Sequence, residues 1–303
     1  MGKISKSMGL SGGGKMNIIK NKKTFFIISL AIILAGVVMF FVNGLNYGID
    51  FTGGTLIQIN AGKFISVEEA REIVEEFDPN MSIIHGGVDK EELIIKSTLD
   101  LSNSDITSIT DKFIEKYDID KNSFLSEKIG PTMGKEIQNK AFLSISIATI
   151  AMLAYISFRF EFKFGLAAII ALIHDVLVTI SVYAIFKLPV NSSFIAAILT
   201  IVGYSINDTI VIFDRIREEM RLNPRENFEN IVNNSIRHSL RRTINTTVTT
   251  VVAVLILYIL GVEDIKVLAL PLLVGMLAGT YSSIFIAPNI WYDLKNHKTK
   301  TAN

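Results

Sequence analysis

Three side chains of this 303-residue sequence stand out for chemistry: Asp175, Asp208 and Arg242, each a charged group in or at the edge of a long apolar run. An aspartate in hydrocarbon costs roughly 2.5–3.5 kcal/mol on insertion scales, so such a residue faces a protein interior and marks an ion or proton path. Thr200, Tyr204, Asn207 and Asp208 are spaced 0, 4, 7 and 8, which is one face of a helix. Arg242, Asn245, Thr246, Thr249 and Thr250 are spaced 0, 3, 4, 7 and 8, again one face. The two stripes lie at matching depth on neighbouring runs, so they are expected to face each other, with Arg242 beside Asp208. Burial disfavours a carboxylate and a nearby guanidinium favours it, while arginine itself stays charged. A carboxylate held between these influences exchanges a proton as its distance from the arginine changes. The same pair could also be a static tie that fixes helix register. Asp175, with Thr179 one turn later, is a second candidate on a third helix, balanced evenly between relay and structural roles. His174 reads as a packing residue. Asp214, Arg215, Arg217, Glu218 and Glu219 read as an interfacial anchor and an inner-loop helix, not as a site.

The elements that must position these groups are six apolar runs, at about 25–42, 141–158, 166–186, 194–213, 244–260 and 267–291. At 1.5 Å per residue each crosses most or all of a hydrocarbon core about 30 Å thick. Lysines at 3, 6, 15, 20, 22 and 23 precede the first run, and Arg159, Lys163, the arginine-rich 214–242 loop, Lys295, Lys298 and Lys300 fall on the same side. This distribution predicts cytoplasmic N- and C-termini. The first run lacks a small-x-small cleavage site and is expected to be a retained anchor. The expected division is a basic tail (1–24), a first span (25–45), an extracytoplasmic domain (46–139), a five-span bundle (140–292) and a cytoplasmic tail (293–303).

The 46–139 segment carries 18 acids and 9 bases, net −9, while the rest of the chain is net +10. A strand is predicted at 49–60. The capping box Ser66-Val67-Glu68-Glu69 opens a helix to about Phe77. Apolar runs near 81–85 and 92–96, a helix from Ser104 to Tyr117 and a strand at 123–129 complete a β-α-β-β-α-β order, that of a small α+β ferredoxin-like domain. The expected fold class is therefore a mainly α membrane protein with six transmembrane helices and this domain between spans one and two. The domain reads as an interaction or motion module. Its acidity suits either a solvated surface or contact with a basic substrate.

The formal charge of +1 excludes a generally basic nucleic-acid binder, and zero cysteines exclude a thiol nucleophile, a disulfide scaffold and a cysteine metal site. Four scattered histidines argue against a metal site. No triad or catalytic carboxylate pair is spaced for enzyme chemistry, and no cofactor is implied. Gly9 to Lys15 (GLSGGGK) imitates a phosphate-binding loop, but Met16 replaces the magnesium-binding hydroxyl and no strand precedes it.

Several stretches resemble the SecD and SecF protein-export family of the resistance-nodulation-division superfamily. They are GIDFTGGT (48–55), IGPTMGKEI (129–137), GYSINDTIVIFDRIRE (203–218), LRRTINTTVTT (240–250) and GTYSSIFIAP (279–288). The six spans and small domain resemble the smaller of the family's two subunits. The resemblance implies pairing with SecD into a twelve-span unit in the bacterial cytoplasmic membrane. It implies action on an unfolded preprotein beside the SecY, SecE and SecG translocon, with YidC as a further neighbour, driven by protons rather than ATP. The family's proton-path residues fall on Asp208 and Arg242, with Asp175 at a recurrent third-span position. Gly48, Asp50, Gly53 and Gly54 fall in the junction between the first span and the domain. A small-molecule exporter half of the same superfamily and a non-transporting scaffold of the translocon are the alternatives.

Overall fold

The computed structural model describes residues 17–300 apart from Val88, with side chains placed as far as Asn296. The 9–15 glycine segment, the lysines before it and the side chains of Lys298 and Lys300 lie outside the described residues. The chain runs α1 (Lys22–Asn43), β1 (Asn46–Tyr47), α2 (Ile49–Thr52), β2 (Gly54–Asn60), α3 (Val67–Val74), β3 (Ser82–Gly86), β4 (Glu92–Ser97), α4 (Asn103–Tyr117) and β5 (Phe124–Ile129). It continues through α5 (Pro131–Arg159), α6 (Phe162–Phe186), β6 (Pro189–Val190), α7 (Ser192–Leu222), α8 (Phe228–Leu260), α9 (Glu263–Phe285) and α10 (Ala287–Lys300).

Among the described residues, six helices are long and apolar enough to cross a membrane: α1, α5, α6, α7, α8 and the α9–α10 stretch Glu263–Asn296. The chain is a multi-pass membrane protein. α6, α7 and α9 bury about half of their apolar windows and form the bundle core, while α1, α5 and α8 lean on it and leave most of theirs exposed. α7 and α9 approach closely because small residues meet there. A side chain at Gly275 would overlap Ile201, and a Cβ at Gly279 would come within 2.8 Å of the Ser205 Cβ. At one end Phe164 stacks on Trp291 at 4.4 Å between ring centroids, in a core shared by α6, α7, α8 and α10.

The segment between α1 and α5 is a four-stranded antiparallel sheet in the order β3-β4-β2-β5. Alternation along the strands sends Ile57, Ile59, Ile83, Leu93 and Ile95 to one face, where Ala70, Ile73 and Val74 of α3 and Ile109 and Phe113 of α4 cover them. Both helices begin with complete capping boxes, Ser66 with Glu69 and Ser102 with Asp105.

Three boundaries differ from the sequence reading. The strand expected at 49–60 starts at Gly54, because Ile49–Thr52 forms one helical turn that Gly53 ends at φ 79°. α5 starts at Pro131, since proline at the first helical position suits its fixed φ and missing N–H. The helix expected in the arginine-rich inner loop is not separate but continues the spans: α7 runs to Leu222 and α8 begins at Phe228 behind the Asn227 cap. A short parallel pairing of β1 with β6, two residues each, had no sequence signal.

Candidate functional site

α6 places Asp175 at its middle, fully buried. One carboxyl oxygen lies 3.0 Å from His174 Nδ1. The other accepts the Ser205 hydroxyl of α7 at 2.6 Å and the Ser282 hydroxyl of α9 at 2.9 Å. His174 Nε2 lies 2.8 Å from the Ser29 hydroxyl of α1, and its ring stacks near Tyr281 at 6.1 Å. α6, α7 and α9 therefore meet at one carboxyl, and α1 joins them through His174. Ionised Asp175 only accepts hydrogen bonds; once protonated, one oxygen must donate. Protonation thus reverses or breaks one of three contacts, each to a different group, which makes the site a reporter of its own charge.

Asp208, on the next helix, is 3 % exposed, and its Oδ2 finds no hydrogen-bond partner. The Thr247 hydroxyl of α8 faces this carboxyl, and Arg242 lies within electrostatic reach. Thr247 Oγ1 also meets Thr280 Oγ1 of α9 at 2.7 Å. Beside them Thr209 and Ser283 share a hydrogen bond of 2.8 Å, and Ser283 donates to the Ser205 carbonyl at 3.2 Å. Hydroxyls from α7, α8 and α9 thus pair with one another beside the two acids.

The expected pairing of stripes needs correction. Arg242 is exposed and makes no ion pair with Asp208 within 4.0 Å among the described residues. It lines a polar cavity of about 370 Å³ with Asp214, Arg215, Glu218, His238 and Ser239. Asn245 and Thr249 are also exposed and Thr246 is half-buried. The residues that α8 turns inward are Ser239, Thr243 and Thr247. One residue is 100° of helix, so a stripe counted from Arg242 is turned by that angle from the one that meets Asp208. On α7, Asn207 is exposed and Tyr204 half-buried against Val251, Val254 and Met276.

His174, expected to be packing, bridges α1 to Asp175. Asp214, Arg215 and Glu218 line the cavity that holds Arg242 rather than serving only as an anchor. Ser29, Ser205, Ser282, Thr243 and Thr247 were missed. Ser205 precedes Asp208 by three residues, on the same face, and Ser282 follows Gly275 and Gly279 at helical spacing; those were the available signals.

The junction residues come together at one end of the bundle. Gly48 N–H donates to the Val190 carbonyl at 2.8 Å, and Asp50 accepts the Ser192 N–H at 2.8 Å. Gly53 (φ 79°) and Gly54 (φ 145°) take backbone conformations that L side chains rarely adopt, and a Cβ on Gly53 would stand 2.8 Å from the Ile129 carbonyl.

Fold and site together define a multi-pass membrane protein whose helix bundle buries two acids among hydroxyls, with a small α+β domain inserted after the first span. Residues 109–297 match the family described as protein export membrane protein SecD/SecF, C-terminal, and residues 38–63 match the SecD/SecF GG motif. The chain is 38 % identical to protein translocase subunit SecF of Helicobacter pylori, over 87 % of this chain and 82 % of that one. It is 36 % identical to SecF of Calditerrivibrio nitroreducens, over 95 % and 96 %. A crystal structure of SecDF, a translocon-associated membrane protein from Thermus thermophilus, superposes with a TM-score of 0.79 at 34 % identity, covering 93 % of this chain and 39 % of that one. The chain thus spans about two fifths of the solved SecDF chain. It belongs to the SecD/SecF protein-export family, among the SecF-type subunits.

Proposed function

We propose that this chain is the six-span subunit of a SecD–SecF-type complex that assists Sec-dependent protein export with the proton gradient, and that it is not an enzyme. The observation that carries the reading is the pair of buried acids, Asp175 and Asp208, with no lysine or arginine within 4.0 Å among the described residues. A buried carboxylate without a cation is costly when ionised, and the surrounding hydroxyls can pass or hold a proton. Arg242, in its polar cavity, supplies the fixed positive charge toward which Asp208 can move.

The small domain is read as ferredoxin-like and extracytoplasmic. Its strand order supports the first point, and the basic residues at the opposite end of the bundle support the second. The partner is a SecD-type subunit, because six spans match only part of each SecDF relative. The SecY, SecE and SecG translocon, YidC and an unfolded preprotein complete the proposed assembly. Asp208→Asn tests the reading. It is expected to leave the complex with the partner intact on co-purification while abolishing gradient-stimulated secretion. Full secretion in that variant would remove the proton path and leave a scaffold.

A further inference from the structure

Asp50 sits in the tight junction between α1 and the sheet, and its Oδ2 accepts the backbone N–H of Ser192 at 2.8 Å. Ser192 is the first helical residue of α7, behind the extended Asn191, whose side chain accepts the Phe194 N–H at 3.1 Å. Two of the donors left open at this helix end are thereby satisfied, and the Asp50 charge meets the positive end of the helix dipole. The same turn is gripped from other sides. Gln138 of α5 donates to the Phe51 carbonyl at 2.9 Å, and β1 runs parallel to β6 immediately before α7. Gly53 and Gly54 then lead directly into β2, an inner strand of the sheet. From Ser192 an unbroken helix passes Ser205, the Asp175 donor, and reaches Asp208 after about 24 Å.

We infer that Asp50 is a positioning residue that ties the small domain to the N-terminus of α7, so that displacement of α7 at the buried acids reaches the base of the sheet. The inference rests on the proton-path reading and adds the mechanical link from the acids to the domain. A helix transmits a shift along its axis as a rigid body, and a carboxylate bonded to its first amide follows that shift without an intervening loop.

Three full-length variants, each produced with the SecD-type partner, test it. Asp50→Ala removes the acceptor. Asp50→Asn keeps an oxygen for the Ser192 N–H and drops the charge. Ser192→Pro removes the donor at a helix position that accepts proline, after an extended residue that tolerates it. Hydrogen exchange over residues 193–195 is expected to rise about tenfold in Asp50→Ala and Ser192→Pro, as local opening at the helix end becomes easier. Gradient-stimulated secretion should fall several-fold in both, and Asp50→Asn should restore most of each. Wild-type exchange in Asp50→Ala, or wild-type secretion in both Asp50→Ala and Ser192→Pro, overturns the inference. If Asp50→Ala does not accumulate, Ser192→Pro against Asp50→Asn gives the same decision. Asp208→Asn reports separately on the underlying reading: full secretion there removes the proton path, while the exchange measurement still reports the tie.

Discussion

Asp175 accepts from three donors on three helices, and this arrangement distinguishes its substitutions. In Asp175→Asn the carboxamide oxygen can keep both serine hydroxyls while its NH₂ faces His174, which shifts its ring proton to Nε2 and donates to Ser29. The Tm of the purified protein is therefore expected within about 2 °C of wild type, although the site can no longer take up a proton. Asp175→Ala instead strands the buried Ser205 hydroxyl, at about 1–3 kcal/mol, while Ser282 keeps its bond to the Gly279 carbonyl, and opens a void among three helices, so it should lower the Tm by several degrees. Thermal unfolding of the two variants in one detergent checks both outcomes, and equal losses would contradict the contact geometry.

At the scale of elements, the α7–α9 contact depends on the absence of a side chain at Gly279, where a Cβ would stand 2.8 Å from the Ser205 Cβ. Gly279→Ala is expected to push the helices apart, cost about 1–3 kcal/mol and weaken the Ser205–Asp175 bond; thermal unfolding reads the first effect and gradient-stimulated secretion the second. In the small domain, the hydroxyl and backbone N–H of Ser102 hold the Asp105 carboxyl below the usual carboxylate range. The folded group therefore binds its proton less tightly than the unfolded one. Its cap contributes stability above the ordinary carboxylate pKa of about 4 and loses it as pH falls through the folded value. The protection factors of the α4 amides, which remove the intrinsic slowing of exchange at lower pH, should fall on acidification in wild type and lose that dependence in Asp105→Asn. The Ser66–Glu69 cap was legible in the sequence as a short-range pattern, whereas the Ser102–Asp105 box was missed, the helix being expected only from Ser104. The β1–β6 pairing was not legible either, because it joins residues more than 140 positions apart through two backbone contacts.

At the scale of the whole molecule, the polar stripe on α7 and α8 that was expected to close on itself is largely at the surface. Thr200, Asn207, Asn245 and Thr249 are exposed, beside Ile244, Val248 and Val252. A polar and apolar face of this kind on a membrane bundle suits a second bundle rather than lipid alone. Because the chain has no cysteine, Asn245→Cys gives a single reporter. Its reaction with a membrane-permeant maleimide is expected to slow about tenfold or more when the SecD-type partner is co-expressed, and unchanged labelling would place the partner elsewhere.

The six spans, the inserted β-α-β-β-α-β segment and the interior place of the two acids follow from the residues alone, because each depends on local composition and period. Twenty apolar residues demand hydrocarbon, and a lone aspartate among them demands an interior. Which residues meet those acids emerges only from packing. Periodicity gives a helix face but not its rotation against a neighbour, and rotation is set by where small residues such as Gly275 and Gly279 let backbones close. That packing turned Thr243 and Thr247 inward, left Arg242 at a cavity wall, brought Ser205 and Ser282 from two helices to the Asp175 carboxyl, and set Ser29 of a third against His174.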